Sequence, residues 1–369
     1  MEAIGKKKLK ELRNFMEREK IDVILFVGTD VNVRYFSGFI GSCILAITPF
    51  ERILISNSLD FNRALNQADV ERVISIKEFD HSYGKALEKA IGRVKKVGII
   101  KSCFSLRLYE EIKSRIKVKF VDVENFIAQL RSKKLRREIK FLEKSAKISN
   151  SGIKLLEEII GEIAKGRRIR ESEIAERIET CLKEKGSEGL AFETIVASGK
   201  RSIFPHPYPQ TSNNWVGRFG YVDFGAVYRG YCSDVTVPFV IGEIGRKQKL
   251  IVETTMEAYK LAIASIEPGI PTWKIYEKIR SFLEEKGFDL KHSLGHGLGL
   301  TVHDYPSISP KPSDKILLRR WKEMKFEDGM VMAVEPGIYE KTIGCRIEND
   351  VLLTRRKLKL LTRSSLIEV

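Results

Sequence analysis

The sequence predicts two domains of different class, an α/β domain over residues 1–128 and an α+β domain over residues 129–369. Three observations carry that reading. The chain has 369 residues, more than one ordinary domain needs. As far as residue 128, short β-branched runs alternate with helical stretches, the pattern of an α/β domain. A strongly charged helical segment, QLRSKKLRREIKFLEKSAKIS at 129–149, then changes the character of the chain and opens the second domain.

The first element is an amphipathic helix with Leu9, Leu12, Phe15 and Met16 on one face. Six strands are expected after it: IDVILFVG (21–28), CILAIT (43–48), RILISN (52–57), RVISI (72–76), KKVGII (95–100) and VKFVDV (118–123). Helical stretches such as SYGKALEKAIGRV separate them. In the second domain, Leu135, Ile139, Leu142 and Ala146 mark a helix within 129–149, and four more helices are expected. They are SGIKLLEEIIGEIA near 151–164, RESEIAERIETCLKEKG with Gly186 as its stop, KQKLIVETTMEAYKLAIASI, and IPTWKIYEKIRSFLEEKG. The last opens at Pro271 and Thr272, carries Ile275, Tyr276, Ile279, Phe282 and Leu283 on one face, and closes at Gly287. Strands lie between the helices at ETIVAS, FGYVDFGA, GYCSDVTVPF, GMVMAVEPG and RIENDVLLT.

Composition narrows the function classes. With 43% hydrophobic and 31% charged residues, the chain has ample material for a core. No apolar run reaches the length of a membrane span, and no apolar block follows the basic N-terminus as a secretory signal requires. The five cysteines form no C-x-x-C pair, which suits reduced thiols in a cytoplasm and argues against zinc fingers or a disulfide framework. Cys232 and Cys345 are expected to be small buried packing residues. Abundant lysine, arginine and glutamate with scarce glutamine match the bias of thermophile proteins. A net charge of +16 raises nucleic acid as a partner, but the basic residues are mixed with acids and form no aromatic-interleaved stripe. A solvated charged surface, with no nucleic-acid partner, is expected.

Chemistry concentrates in two strand pairs and one loop. In FGYVDFGAVYRGYCSDVTVPF, Asp223 and Asp234 lie eleven residues apart around a turn near Tyr228–Gly230. A two-residue loop would set them directly opposite on one face. In MVMAVEPGIYEKTIGCRIENDVLLT, Glu335 and Glu348 lie thirteen apart around a turn near Lys341–Gly344. Pro336 cannot donate to a strand ladder, so the strand should end at Glu335. Facing carboxylates in apolar strands repel one another, and a cation between them removes the repulsion. The chain has only five histidines, and two, His296 and His303, fall within GHGLGLTVHD at 295–304. Four carboxylates and His296 make an oxygen-rich set suited to two divalent first-row ions, with the loop glycines allowing close backbone approach.

The runs TIVASGKRSIFPHPYP, YVDFGAVYRGYCSDVT, GHGLGLTVHDYP, AVEPGIY and GCRIENDVLLT resemble, in order, the signatures of proline-specific metallopeptidases of the pita-bread fold, the Xaa-Pro dipeptidases (prolidases) and Xaa-Pro aminopeptidases. DVILFVGTDVNVRYFSGF is similar to the creatinase-type domain that precedes the catalytic domain in that family. The resemblance implies a creatinase-type domain over 1–128 and a pita-bread catalytic domain over 129–369. It implies Asp223, Asp234, His296, Glu335 and Glu348 as ligands of two divalent ions, manganese or cobalt first, with zinc and iron also suited. Glu335 would also accept a proton, His206 and His303 would face substrate, and Arg346 would be a cation beside the ligands or substrate. His81 and His292 match nothing in the resemblance, and a surface or packing role is expected for both.

Four departures from the family pattern stand out: KRSIF where an asparagine-containing stretch is usual, Val237–Pro238 after DVT, Asp304 after His303, and Asn349 after Glu348. None removes a ligand. The expected activity is hydrolysis of the bond before proline in Xaa-Pro dipeptides, on small peptides with proline in second position, by a cytoplasmic homodimer. An Xaa-Pro aminopeptidase acting on longer peptides is the alternative within the class. A non-catalytic pita-bread binding module is the alternative outside it.

Overall fold

All six apolar runs of the first third pair into a single sheet. In the computed structural model, which describes residues 4–28, 30–355 and 357–369, the chain divides into two compact units, Met1–Leu130 and Arg131–Val369. In the first unit the strands are β1 (Val23–Val27), β2 (Cys43–Ile47), β3 (Arg52–Ser56), β4 (Arg72–Ser75), β5 (Lys96–Ile99) and β6 (Lys119–Asp122), in the order β4-β3-β2-β1-β5-β6. The sheet is mixed: β1 runs antiparallel to β2 and parallel to β5. Helices α1 (Leu9–Glu19), α2 (Val31–Ser37), α3 (Phe61–Gln67), α4 (Tyr83–Ile91) and α5 (Leu106–Arg115) accompany it. Helix α1 buries Leu9, Leu12 and Met16, the face expected from their spacing, and Phe15 stacks on Phe126 with ring centroids 3.7 Å apart. The hydroxyls of Ser82 and Ser105 cap α4 and α5, each cap being worth about 1 kcal/mol.

Helix α6 (Glu124–Ser132) is followed by α7 (Arg136–Ala164), a single helix of 29 residues. The two helices expected within 129–149 and at 151–164 are therefore one, after a break at residues 133–135. The Leu135 amide donates to the Glu138 carboxylate at 2.7 Å, which satisfies the helix start. No proline interrupts the middle of α7, and its buried face runs unbroken through Leu142, Ala146, Ile153, Leu156 and Ile160. Gly152 survives inside it because a Cβ there would come within 2.7 Å of the Phe224 ring.

The rest of the second unit is built from two similar halves. One half sets α7 and α8 (Glu171–Glu184) beside a sheet of β7 (Ile195–Ser198), β8 (Phe219–Phe224) and further strands. The hairpin from β8 continues through β9 (Val227–Tyr228) and β10 (Tyr231–Cys232) to β11 (Val235–Val240). The other half sets α9 (Arg246–Ser265) and α10 (Thr272–Glu285) beside β12 (Gly295–Gly297), β13 (Asp304–Ile308), β14 (Val331–Val334), β17 (Asn349–Leu353) and β18 (Leu358–Leu360). Between β14 and β17 lie β15 (Gly337–Tyr339) and β16 (Gly344–Arg346), and β19 (Ile367–Glu368) returns to pair with β11. Helix α10 buries Thr272, Ile275, Tyr276, Ile279 and Leu283 in its core and ends before Gly287, whose φ is +82°.

The two hairpins differ in register. Tyr228 pairs with Tyr231 across Arg229 and Gly230, whose φ values of 51° and 77° are those of a primed two-residue turn. Carried down the strands, this register sets Asp223 opposite Thr236. The direct opposition of Asp223 and Asp234 expected from the sequence is thus wrong by one diagonal step, because the turn sits one residue later. Both carboxylates remain on one face. In the second hairpin, Val334 pairs with Asn349 and Gly337 with Arg346, one continuous register that puts Glu335 across from Glu348. Strand β14 ends at Val334, one residue before the expected Glu335.

Candidate metal centre

The five residues singled out as ligands come from five strands that meet. Asp223 lies in β8, Asp234 immediately before β11, His296 in β12, Glu335 immediately after β14 and Glu348 immediately before β17. Two groupings of their ligand atoms fall within 4.8 Å of one another, Asp223, Asp234 and Glu348, and His296, Glu335 and Glu348; a third joins Asp234 and His296 to His303. His296 Nε2 lies 3.6 Å from Asp234, 3.7 Å from Glu335 and 4.0 Å from Glu348. The strand ends are tied together: the Glu348 amide donates to the Thr236 carbonyl, and the Asp234 amide donates to the Asp350 carboxylate.

The electrostatics are those of crowded, buried acids. Burial, then repulsion from Glu348 and Asp223, holds the Asp234 carboxyl well above the usual carboxylate range. Burial and the charges of Glu335 and Asp223 do the same to Glu348. Glu335 is pushed up to about 8 by burial, against the pull of Arg346. His296 is driven down to about 4, chiefly by burial, so its ring is neutral near pH 7. Its Nδ1 lies 3.1 Å from the Gly297 carbonyl, which assigns the proton to Nδ1 and leaves the Nε2 lone pair facing the acids.

Arg346 is the cation of the cluster. It is 2% exposed, pairs with Asp223 at 2.5 Å, and donates to the Tyr339 hydroxyl at 2.7 Å and the Pro205 carbonyl at 3.0 Å. Its Nε donates to the Thr236 hydroxyl at 3.0 Å, and that hydroxyl donates to Glu348 at 2.8 Å.

The glycines of GHGLG allow close backbone approach, here to the neighbouring strands. A Cβ on Gly295 would sit 2.1 Å from the Ala333 carbonyl oxygen, and one on Gly297 would sit 2.0 Å from that of Tyr305. They admit neighbouring strands to either side of His296, where β12 and β13 shift register. Asp304, after His303, turns inward to meet Arg131 at 2.8 Å and Lys134 at 3.6 Å. These cations outweigh its burial and lower its carboxyl below the usual range. Asn349 also has a structural reason. Its amide nitrogen serves Tyr259 and the Ser364 carbonyl, which a carboxylate could not do.

A cavity of about 770 Å³ opens beside the five residues. His206 and His303 are exposed on its walls, and the His303 ring meets that of His296 edge-on at 4.3 Å. His292 lines it too, against the packing or surface role expected for it. Its Nδ1 lies 2.8 Å from the Ser293 carbonyl and 3.9 Å from Glu335, while its buried Nε2 has no hydrogen-bond partner among the described residues. The signal in the sequence was its spacing of four from His296, on the same approach to β12. His81 lies in the first unit with its ring 3.4 Å from the Ser58 hydroxyl.

Residues 140–355 match the model of metallopeptidase family M24, and residues 8–133 match the creatinase/prolidase N-terminal domain. The chain belongs to metallopeptidase family M24. It is 34% identical over 368 residues to an Xaa-Pro dipeptidase of Pyrococcus horikoshii, covering 98% of both chains. Among solved structures it resembles the prolidase of Pyrococcus horikoshii OT3, with a TM-score of 0.84 at 33% identity over 98% of this chain and 99% of that one. It also resembles an X-Pro aminopeptidase of Thermotoga maritima, with a TM-score of 0.81 at 31% identity over 98% and 99% of the two chains. The fold is thus the creatinase-type domain followed by the pita-bread domain of family M24.

Membership in family M24 implies divalent metal ions, and the residues present fit them. Asp223 Oδ1 and Glu348 Oε1 are buried and have no hydrogen-bond partner among the described residues, although the other oxygen of each carboxylate is bonded. A buried anionic oxygen left this way is costly unless a cation takes it. No helix among the described residues is long and apolar enough to cross a membrane.

Proposed function

We propose that this M24 enzyme is an Xaa-Pro dipeptidase, in which Asp223, Asp234, His296, Glu335 and Glu348 hold two divalent ions. What supports the reading is the end-to-end similarity to an Xaa-Pro dipeptidase, together with the convergence of these five side chains on one cavity. Manganese and cobalt suit four carboxylates and one imidazole, and zinc and iron suit them too. In this reading residues 129–369 form the catalytic domain and residues 1–128 the creatinase-type domain. The enzyme works as a homodimer in the cytoplasm, where its free cysteines stay reduced.

Ions bound there would lower the pKa of water and polarise the carbonyl that precedes proline. The chain supplies the rest. Glu335, facing both the ligand cluster and His292, accepts the proton of the attacking water and returns it to the proline nitrogen, which has no hydrogen of its own in the peptide bond. His206 and His303, exposed on the cavity walls, donate hydrogen bonds to the developing oxyanion or to the substrate carboxylate. Arg346 holds Asp223 in place and keeps positive charge beside the acids.

The similarity to an X-Pro aminopeptidase favours a second reading, the same chemistry on longer peptides. The two readings part on one comparison. Protein stripped of metal and reloaded with manganese or cobalt should cleave an Xaa-Pro dipeptide much faster than an Xaa-Pro-Yaa tripeptide. Preference for the tripeptide would make it an aminopeptidase, and cleavage of neither with metal bound would leave a binding module.

A further inference from the structure

His206 sits on a loop that leaves β7 at Ser198 and returns at Ser212, and one buried side chain holds both ends. Glu171, the first residue of α8, has a side chain with no exposed surface. One of its oxygens accepts from the Ser198 amide and the Ser198 hydroxyl, both at 2.9 Å. The other accepts from the Ser212 hydroxyl at 2.7 Å and forms an ion pair with Arg201 Nε at 2.8 Å, a charge contact without hydrogen-bond geometry. Arg201 then reaches across the loop, its Nη2 donating to the Pro209 carbonyl at 2.5 Å. The inner side of the loop is fixed separately, by Arg346 and Tyr221 on the Pro205 carbonyl.

We propose that Glu171 and Arg201 form a strut that sets the position of His206 and of the cavity wall from Pro205 to Gln210. This rests on the reading of His206 as a substrate-binding group. Arg201 belongs to KRSIF, the stretch that stands where an asparagine-containing pattern is usual. The guanidinium suits the task because its planar fork can meet a carboxylate with one nitrogen and a carbonyl with another. Both residues are positioning residues, acting on substrate only through the loop.

The test is a double-mutant cycle on the metal-loaded enzyme with an Xaa-Pro dipeptide. Arg201→Gln leaves Glu171 its three other donors, so the fold should survive. It should lower kcat/KM by roughly 10- to 100-fold, because a misplacement of about 1 Å can cost about 10²-fold. His206→Ala should lower it at least as much. Combined, the two should cost no more than His206→Ala alone, and bound metal per chain should stay unchanged throughout. Arg201→Lys keeps the cation but loses the planar fork that meets the two partners from separate nitrogens, and it should show a smaller loss that is again absent without His206. A loss from Arg201→Gln that persists undiminished in the His206→Ala background overturns the strut, as does no loss at all. Full activity in His206→Ala overturns the role of His206 itself, and with it the strut.

Discussion

Arg346 and Asp223 form a buried ion pair at 2.5 Å, and the pair uses only one oxygen of the carboxylate. The other oxygen, Oδ1, is buried with no hydrogen-bond partner among the described residues, and it is open to a cation. Arg346 thus orients a ligand and offsets part of the negative charge around it. Arg346→Ala removes one partner of a buried pair, and the folded state should lose about 3–5 kcal/mol, measured by urea unfolding. Arg346→Lys should fold better yet bind metal about 10- to 100-fold more weakly, as removal of an outer partner does.

Thr236 links the same arginine to Glu348. Thr236→Val keeps the shape and deletes a hydroxyl that both accepts from Arg346 and donates to Glu348. Metal affinity should drop by about 10- to 100-fold, with the melting temperature of the metal-loaded protein falling less than for Arg346→Ala. Isothermal titration with manganese reads the first quantity and calorimetry the second. Unchanged affinity would show that the hydroxyl does not orient Glu348.

The metal-free protein should be least stable at the two ends of the pH range. Glu335 is raised from 4.5 to about 8, mainly by burial, so its contribution is present below pH 4.5 and is lost as the pH rises through 8. His292 and His296 are lowered from 6.5 to about 4, also by burial. Their contribution is present above pH 6.5 and is lost as the pH falls through 4. The melting temperature of stripped protein should therefore peak between these limits and decline toward pH 8. Saturating manganese should flatten the alkaline decline, because a cation replaces the proton on the acids. A stripped protein that keeps gaining stability from pH 6 to 9 would contradict this balance.

Behind His303, Asp304 is the anion of a buried cluster with Arg131 and Lys134. Asp304→Asn leaves two cations facing a neutral amide and should cost about 3–5 kcal/mol. Adding Lys134→Met removes one of those cations and should recover part of the loss. Thermal unfolding of the single and double variants reads both effects, and a double variant no more stable than Asp304→Asn would show that Lys134 carries no uncompensated charge.

Much of this was legible in the sequence because strand parity and helix spacing are local. The six strands of the first unit, the α10 face and the facing of Glu335 and Glu348 all follow from short-range patterns. What escaped the sequence depends on single-residue choices or on distant contacts. The first hairpin slipped one step because both Arg229 and Gly230 take positive φ, and an arginine gives no warning of that. Helix α7 ran on through Asn150, Ser151 and Gly152 because its buried face continued, a tertiary effect that overrides local propensity. The strand contacts of the GHGLG glycines became visible only when β13 and β14 were in place around β12, and the spacing of His292 from His296 gained meaning only with Glu335 beside it.

One titration bears on the whole proposal. Metal-stripped protein is supplied with manganese in steps while hydrolysis of an Xaa-Pro dipeptide and bound metal per chain are followed together, for the native chain and for Glu348→Gln. The native chain should bind two ions and reach full activity as the second is taken up, and Glu348→Gln should lose tight binding and nearly all turnover. Full hydrolysis in the stripped protein, or in Glu348→Gln at the same metal concentration, would contradict a dinuclear centre built on these five residues.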